Sequence, residues 1–251
     1  MRKAHIGVLE RPGGHWFKKI IENPVSAIFY FTKMLILGID EAARGSVVGS
    51  LFIAGALFYE KDIFKLKKLG VKDSKLLSDS VRFKLCGQIE KIAKKTKVIE
   101  IPPYEIDDAV EGKGGLNLNW LEAQKTIEII NELKPDKVII DCPSPNIKKY
   151  TAYIKRQLEN KNIELVVEHK ADLNHIECSA ASILAKCARE EQVEKIKKFV
   201  GIDMGSGYIS DPKTVKFLEE YQEMYADLFR KSWQPYKKHK DKKSQKSLEE
   251  F

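Results

Sequence analysis

A chain of 251 residues, of which 43% are hydrophobic, has enough apolar content for one substantial domain, and this composition argues against global disorder. The formal net charge of +8 favours a polyanionic partner, provided that the basic residues are clustered. No apolar run approaches the length of a membrane span, and the four scattered cysteines include no Cys-x-x-Cys pair, so we expect a reduced, cytoplasmic protein that binds neither zinc nor membranes.

The first 33 residues form a basic, aromatic segment ahead of an internal Met34. They lack the clean apolar stretch and the small-residue cleavage site of a signal peptide. We treat residues 1–33 as an N-terminal extension of unknown role, and translation from Met34 is the alternative interpretation.

From Met34 onward, strand-like and helix-like segments alternate. The apolar patterning predicts strands over residues 34–39, 48–58, 97–102, 138–141 and 163–168. It predicts helices over residues 79–95, 116–134, 146–160, 177–200 and 213–225. The first two strands are close enough in sequence to pair as a hairpin, and helices separate the later strands. The expected fold is α/β, with a mixed central sheet flanked by helices.

Four acidic residues follow or end apolar segments: Asp40, Glu41, Asp141 and Asp172. A carboxylate at the end of a buried strand costs free energy unless it is hydrated, paired or bound to a metal. Three separate segments with this feature predict a convergent carboxylate site for Mg²⁺ or Mn²⁺, because hard cations take oxygen ligands. Two such ions suit phosphodiester hydrolysis. Adjacent strand residues point to opposite faces, so Asp40 and Glu41 are expected to contact metal differently.

Five motifs in order resemble those of the type 2 ribonucleases H, the ribonuclease HII family, in a form typical of archaeal members. They are residues 38–45 (GIDEAARG), 71–75 (VKDSK), 139–143 (IIDCP), 169–172 (HKAD) with 179–186 (SAASILAK), and 205–212 (GSGYISDP). The resemblance covers about residues 34–225. Ordered motifs of this length are far more specific than any one alone.

The resemblance implies a ribonuclease H-like catalytic core over residues 34–200 and a C-terminal helical lobe over residues 201–230. It implies endonucleolytic cleavage of RNA in RNA–DNA hybrids and at ribonucleotides embedded in duplex DNA, leaving 3′-hydroxyl and 5′-phosphate ends. Two Mg²⁺ or Mn²⁺ ions would serve the reaction, and the enzyme would be a monomer.

The resemblance also implies roles for individual residues. The metal ligands and catalytic residues would be Asp40, Glu41, Asp141 and Asp172. The resemblance implies that the loop of Ala43, Arg44 and Gly45 senses the ribose 2′-hydroxyl and that the ring of Tyr208 stacks at the RNA-to-DNA junction. It implies contacts to phosphates or to the charge of the site for Ser74, Lys75 and Lys170. It implies contacts to the DNA strand for Ser182 and Lys186.

Three departures from the family pattern lie near these residues. Ala43 stands where the family usually has glycine, so a position that requires a positive φ would be strained by its methyl group. The usual prolines of the first motif are Ser46 and Ser50, and Arg189-Glu190 replaces the usual Arg-Asp. None of these changes removes a carboxylate ligand.

The C-terminal residues 231–251 form a basic tail, with seven lysines and one acidic residue between positions 231 and 247. We expect this tail to be flexible. Its end, residues 245–251 (QKSLEEF), resembles the box that binds the sliding clamp PCNA, with Gln245, Leu248 and Phe251 as the contact residues. One helical turn puts Leu248 and Phe251 on one face, suited to a hydrophobic pocket.

Two other functions remain open from the sequence. One is a different nuclease of ribonuclease H fold, such as a DNA junction resolvase, which needs no 2′-hydroxyl. The other is a weakly active protein that holds hybrids and the clamp, because Ala43 impairs turnover.

Overall fold

Five strands form one mixed sheet in the computed structural model, which describes residues 33–71 and 78–240. The strands are β1 (Leu35–Ala42), β2 (Leu51–Tyr59), β3 (Lys95–Ile101), β4 (Lys137–Asp141) and β5 (Glu164–Glu168). Their order across the sheet is β3-β2-β1-β4-β5. The first two pair antiparallel as predicted, whereas β1, β4 and β5 run parallel.

Besides a helical stretch over residues 234–240, eight α-helices connect and cover these strands in the described residues. They are α1 (Ile63–Lys68), α2 (Asp79–Ile92), α3 (Pro103–Val110), α4 (Leu118–Leu133), α5 (Ile147–Gln157), α6 (Ala171–Asn174), α7 (Ile176–Val200) and α8 (Pro212–Tyr221). The sequence predicted the five longest. It missed α1, α3 and α6, which are too short to establish an apolar period.

Each face of the sheet packs against its own set of helices. Apolar residues that alternate along β2 point both ways: Leu51, Ile53 and Leu57 join the cluster with α4 and α5, while Phe52, Ala54 and Phe58 join the cluster with α2 and α7. A sheet covered on both sides requires strands that are apolar on both faces. This explains why β2 reads as a continuous apolar run.

A third apolar cluster joins the C-terminal part of the chain to the core. Phe217, Leu218 and Phe229 pack against Val193 and Ile196 of α7, together with Val47, Val48, Val200 and Met204. Within the described residues no helix has both the length and the apolarity that a membrane crossing needs. The four cysteines are free thiols.

The basic tail begins with a packed segment, which differs from the flexible tail expected from the sequence. Trp233 is partly buried against two apolar clusters, and residues 234–240 are helical. Apolar anchors at Trp233 and Tyr236 explain the difference, because they bury surface that the lysine count obscured. Residues 241–251 lie outside the described residues.

Candidate active site

Three carboxylates from three segments meet at one edge of the sheet. Asp40 lies near the end of β1, Asp141 ends β4, and Asp172 lies in α6. One oxygen of each lies within 4.8 Å of the others. Strands β1 and β4 are parallel neighbours, so their carboxyl ends share an edge. The structure therefore brings together three of the four acids predicted from the sequence.

A glycine in β1 makes this convergence possible. A Cβ atom on Gly38 would lie 2.2 Å from the backbone carbon and oxygen of Glu177, at the start of α7. The absence of a side chain lets α7 cross β1 at backbone contact distance. That close approach brings Ser182 of α7, and Asp172 of the preceding α6, to the Asp40 carboxylate.

Hydrogen bonds fix two of the acids. Asp40 Oδ1 accepts the backbone N–H of Glu41 at 2.7 Å, and the Ser182 side chain also hydrogen-bonds Asp40. Asp141 Oδ1 accepts the backbone N–H of Lys170 at 2.8 Å, where Lys170 has a left-handed backbone with φ of 58°. Ser182 is 1% exposed, so this contact within the protein differs from the DNA contact that the family resemblance implied.

The electrostatics of the site favour a cation. Burial, together with the neighbouring Asp141 carboxylate, raises the pKa of Asp40 to about 7, although the Ser182 hydrogen bond works against the shift. Oxygen donors at this spacing are the kind that Mg²⁺ and Mn²⁺ prefer. The donor set of Asp40, Asp141 and Asp172 therefore fits the predicted metal.

Glu41 lies on the opposite face of β1 and is outside this three-residue group. Burial raises the pKa of its carboxyl group, and the nearby Glu122 and Asp40 carboxylates add to the shift, while Arg44 lowers it. The alternation of strand side chains produces this separation, as the sequence indicated. Any metal contact of Glu41 thus comes from a different direction than that of Asp40.

The loop after β1 has the strained backbone that the sequence analysis considered for Ala43. Ala43 has a φ of 69° and is 5% exposed, so this position does require the left-handed region that favours glycine. Arg44 donates from Nε to Glu122 Oε1 at 2.8 Å and from Nη2 to Asn119 Oδ1 at 2.7 Å. The guanidinium group is thus held by the protein, and Gly45 is exposed.

Tyr208 lies next to this loop. Its Cε1 atom is 3.8 Å from the position that a Cβ of Gly45 would occupy. The Arg189 guanidinium lies over the tyrosine ring, 5.1 Å from the ring centroid, and donates to the backbone oxygen of Ser206. Ser46 Oγ donates toward Val48 O and Gly207 O at 2.7 and 2.8 Å, so the serine that replaces a family proline links the two loops.

Comparisons with known proteins agree with this geometry. The family model for Ribonuclease HII matches residues 37–236. The chain is 41% identical to the Ribonuclease HII of Pyrococcus furiosus, covering 87% of this chain and 98% of that protein. It is 40% identical to the Ribonuclease HII of Methanothrix thermoacetophila, covering 80% of this chain and 94% of that protein.

The chain belongs to the ribonuclease HII family. The crystal structure of ribonuclease H2 from Pyrococcus horikoshii has a TM-score of 0.75 and 37% identity, covering 83% of this chain and 98% of that chain. The structure of the PCNA:RNase HII complex from Archaeoglobus fulgidus has a TM-score of 0.67 and 37% identity, covering 75% of this chain and 87% of that chain. The family, the ribonuclease H-like fold and the enzyme class predicted from the motifs are confirmed.

For the remaining predicted residues of this ribonuclease HII family member, the structure shows the position of two and does not describe the others. Lys170 is exposed at the site edge, and Lys186 lies one turn beyond Ser182 on α7, where it is partly buried. Ser74 and Lys75 lie outside the described residues, as do Gln245, Leu248 and Phe251. Their roles stay predictions.

Sequence reasoning missed two charged residues that support the site. Glu122 is 1% exposed on α4, and Arg230 is fully buried, donating to Gly49 O at 3.0 Å and to Arg44 O at 2.9 Å. A signal existed for Glu122, since it lies on the buried face of a predicted helix, beside Leu121 and Ala123. Arg230 had no comparable signal, because it follows the last predicted helix.

Proposed function

We propose that this ribonuclease HII cleaves RNA in RNA–DNA hybrids and at ribonucleotides embedded in duplex DNA, leaving 3′-hydroxyl and 5′-phosphate ends. The observation that carries the proposal is the approach of Asp40, Asp141 and Asp172 to within 4.8 Å. These carboxylates, with Glu41 from the other face of β1, would hold two Mg²⁺ or Mn²⁺ ions. The chemistry that such ions supply when bound is activation of the attacking water and stabilisation of the leaving oxygen.

Residues of the chain orient this chemistry. The Ser182 hydroxyl and the Glu41 backbone N–H hold the Asp40 carboxylate, and the Lys170 backbone N–H holds Asp141. Fixed oxygen atoms need no reorganisation when a phosphate binds. The exposed Lys170 side chain is suited to a phosphate of the cleaved strand.

Selection of ribonucleotides is proposed for the loop of Ala43, Arg44 and Gly45 together with Tyr208. Only a 2′-hydroxyl distinguishes RNA from DNA at a single position, so a close-fitting backbone and an aromatic ring beside it are appropriate. The Tyr208 ring lies beside Gly45, 3.8 Å from the position that a Cβ of Gly45 would occupy, and this proximity supports the assignment. It also disfavours a DNA junction resolvase, because such an enzyme does not need to recognise a ribose 2′-hydroxyl.

The test is cleavage of three duplexes with Mg²⁺ or Mn²⁺: a long RNA–DNA hybrid, duplex DNA with one ribonucleotide, and all-DNA. We expect cleavage of the first two only. Cleavage of the all-DNA duplex would favour the resolvase. Binding of hybrid with no cleavage of any substrate would favour the weakly active binding protein.

Two variants sharpen this test. Asp40→Asn should abolish cleavage and leave hybrid binding largely intact, because it removes a metal ligand and adds no bulk. Tyr208→Ala should reduce cleavage at the single ribonucleotide more than cleavage of the long hybrid. An unchanged ratio between the two substrates would refute the junction role of Tyr208.

Binding to the sliding clamp is proposed for Gln245, Leu248 and Phe251. The support is the sequence pattern and the Archaeoglobus fulgidus relative, whose structure is that of a PCNA:RNase HII complex. Deleting residues 245–251 should abolish binding to PCNA, measured by calorimetry, and leave metal-dependent cleavage unchanged. Retained affinity would place the contact elsewhere in the chain.

The organisation of the chain is part of the proposal. We infer a catalytic core over residues 34–200, a helical lobe over residues 201–230 and a basic C-terminal segment over residues 231–251. We further infer a monomer that works in the cytoplasm. Sedimentation at micromolar concentration tests the oligomeric state.

A further inference from the structure

A buried charge network lies under the loop that carries Arg44. Glu122 reaches it from α4, is 1% exposed, and accepts the Arg44 Nε–H at 2.8 Å. Asn119, about one turn earlier on the same helix, accepts the Nη2–H at 2.7 Å. Two acceptors on one helix thus fix the plane of a guanidinium group whose side chain is 38% exposed.

The backbone of Arg44 is held separately from its side chain. Arg230 Nη1 donates to the Arg44 carbonyl oxygen at 2.9 Å, and Ser46 N donates to the Ala43 carbonyl at 3.2 Å. Because the backbone has these partners of its own, loss of the Glu122 contact should release the side chain without unfolding the loop. Glu122 can therefore be tested apart from the fold.

Arg44 donates a hydrogen bond to only one of the two carboxylate oxygens of Glu122. Its Oε2 atom is buried and has no hydrogen-bond partner among the described residues, and the same holds for Nη2 of Arg230. A buried carboxylate with one free oxygen costs free energy that an apolar side chain would avoid. Its presence under the loop is explained if the charge acts on Arg44.

We propose that Glu122 is a positioning residue for ribonucleotide selection, which acts by holding the Arg44 guanidinium group in one orientation beside the ribose site of Gly45 and Tyr208. This rests on the proposed function. Asn119 completes the grip on the side chain. The charge-assisted hydrogen bond from Arg44 to Glu122 is the contact that matters, since it is stronger than a neutral one.

The first measurement detects the contact without any substrate. The Arg44 Nε–H signal in a ¹⁵N-arginine-labelled protein is assigned by its loss in Arg44→Lys, and its hydrogen exchange is followed. Glu122→Gln keeps the shape and removes the charge, so exchange should become about tenfold faster. Glu128→Gln, an exposed glutamate on the same helix, should leave the rate unchanged. Unchanged exchange in Glu122→Gln overturns the proposal.

The second measurement is a double-mutant cycle on kcat/KM. Glu122→Gln should lower cleavage of duplex DNA with one ribonucleotide about tenfold and cleavage of the long hybrid less than threefold. In an Arg44→Ala background the same change should cost nothing, because the group through which Glu122 acts is gone. An equal loss in both backgrounds, or on both substrates, overturns the proposal.

The two measurements separate this inference from the proposed function. If the unaltered protein cleaves none of the substrates, the proposed function fails as stated. The exchange rate of the Arg44 Nε–H then decides alone whether Glu122 holds Arg44. Faster exchange supports the positioning contact, and unchanged exchange overturns it.

Discussion

Ala43 shows how one methyl group is tolerated in a left-handed backbone. The residue has a φ of 69°, a conformation that costs about 1–2 kcal/mol for a residue with a Cβ. Its neighbour Ala42 is similarly buried, at 6% against 5% exposure, but lies in β1 with ordinary strand geometry. The pair allows the strain to be measured by comparison.

We predict that Ala43→Gly is close to neutral and that Ala42→Gly destabilises by about 1–2 kcal/mol more. Both changes remove a buried methyl group and loosen the unfolded chain, and only the first removes strain. Urea unfolding of the two variants gives the difference in the free energy of unfolding. Equal losses would mean that Ala43 carries no strain.

The Asp40 carboxyl group makes stability depend on pH in the metal-free protein. The folded chain keeps its proton up to about pH 7, whereas the unfolded chain releases it near the ordinary pKa of 3.8. The folded state therefore binds more protons between these values, so the free energy of unfolding falls as the pH rises through this window.

We predict that Asp40→Asn stabilises the metal-free protein at pH 8 by up to about 4 kcal/mol, with little effect at pH 3. The asparagine cannot ionise, so it avoids a buried charge beside Asp141. Denaturant unfolding with a chelator present, at several pH values, provides the measurement. The control is Asp227→Asn, at a fully exposed side chain; equal behaviour of the two variants would contradict the prediction.

At the scale of elements, the crossing of α7 over β1 determines the geometry of the carboxylates. The contact depends on Gly38, since a Cβ there would meet backbone atoms of Glu177, which have no freedom to rotate away. In α2, Gly87 has nothing within 4 Å of its would-be Cβ. A side chain at Gly38 would therefore clash with the backbone of α7, whereas a side chain at Gly87 would meet open space.

We predict that Gly38→Ala destabilises by about 3 kcal/mol or more and lowers cleavage, because α7 must move away from β1. Gly87→Ala should stabilise by about 0.5–1 kcal/mol, because a helix interior favours alanine. Thermal unfolding and hybrid cleavage of both variants test this. A stable, fully active Gly38→Ala protein would contradict the prediction, because it would show that α7 and β1 can accommodate a methyl group between them.

At the scale of the whole molecule, residues near position 230 brace a loop near position 45. Arg230 N donates to Val47 O at 3.0 Å, Gly49 N donates to Leu228 O at 2.8 Å, and Phe229 pairs with Val48. Asp107 of α3 accepts the backbone N–H groups of Lys231 and Ser232 at 2.9 Å. Residues 228–232 are thus part of the support for the loop that carries Arg44.

We predict that Arg230→Ala destabilises by about 3 kcal/mol or more, because it leaves the Arg44 and Gly49 carbonyls without a donor and opens a cavity. Lys231→Ala, at a side chain that is 47% exposed, should change stability by less than about 0.5 kcal/mol. Urea unfolding compares them. A near-native Arg230→Ala protein would indicate that the brace is dispensable.

The sequence by itself determined the strands, the long helices and the family, because apolar periodicity and ordered motifs are local properties. It also determined that Asp40, Asp141 and Asp172 follow or end separate apolar segments, although the structure places Asp40 within β1 and Asp172 within α6. Only the tertiary structure decided that their oxygens lie within 4.8 Å of one another, that the Glu122 carboxylate acts on the pKa of Glu41, and that Ser182 supports Asp40. It also decided the roles of Glu122 and Arg230, which lie 78 and 186 residues from Arg44. Contacts over such separations depend on how helices cross the sheet, and no short pattern encodes that.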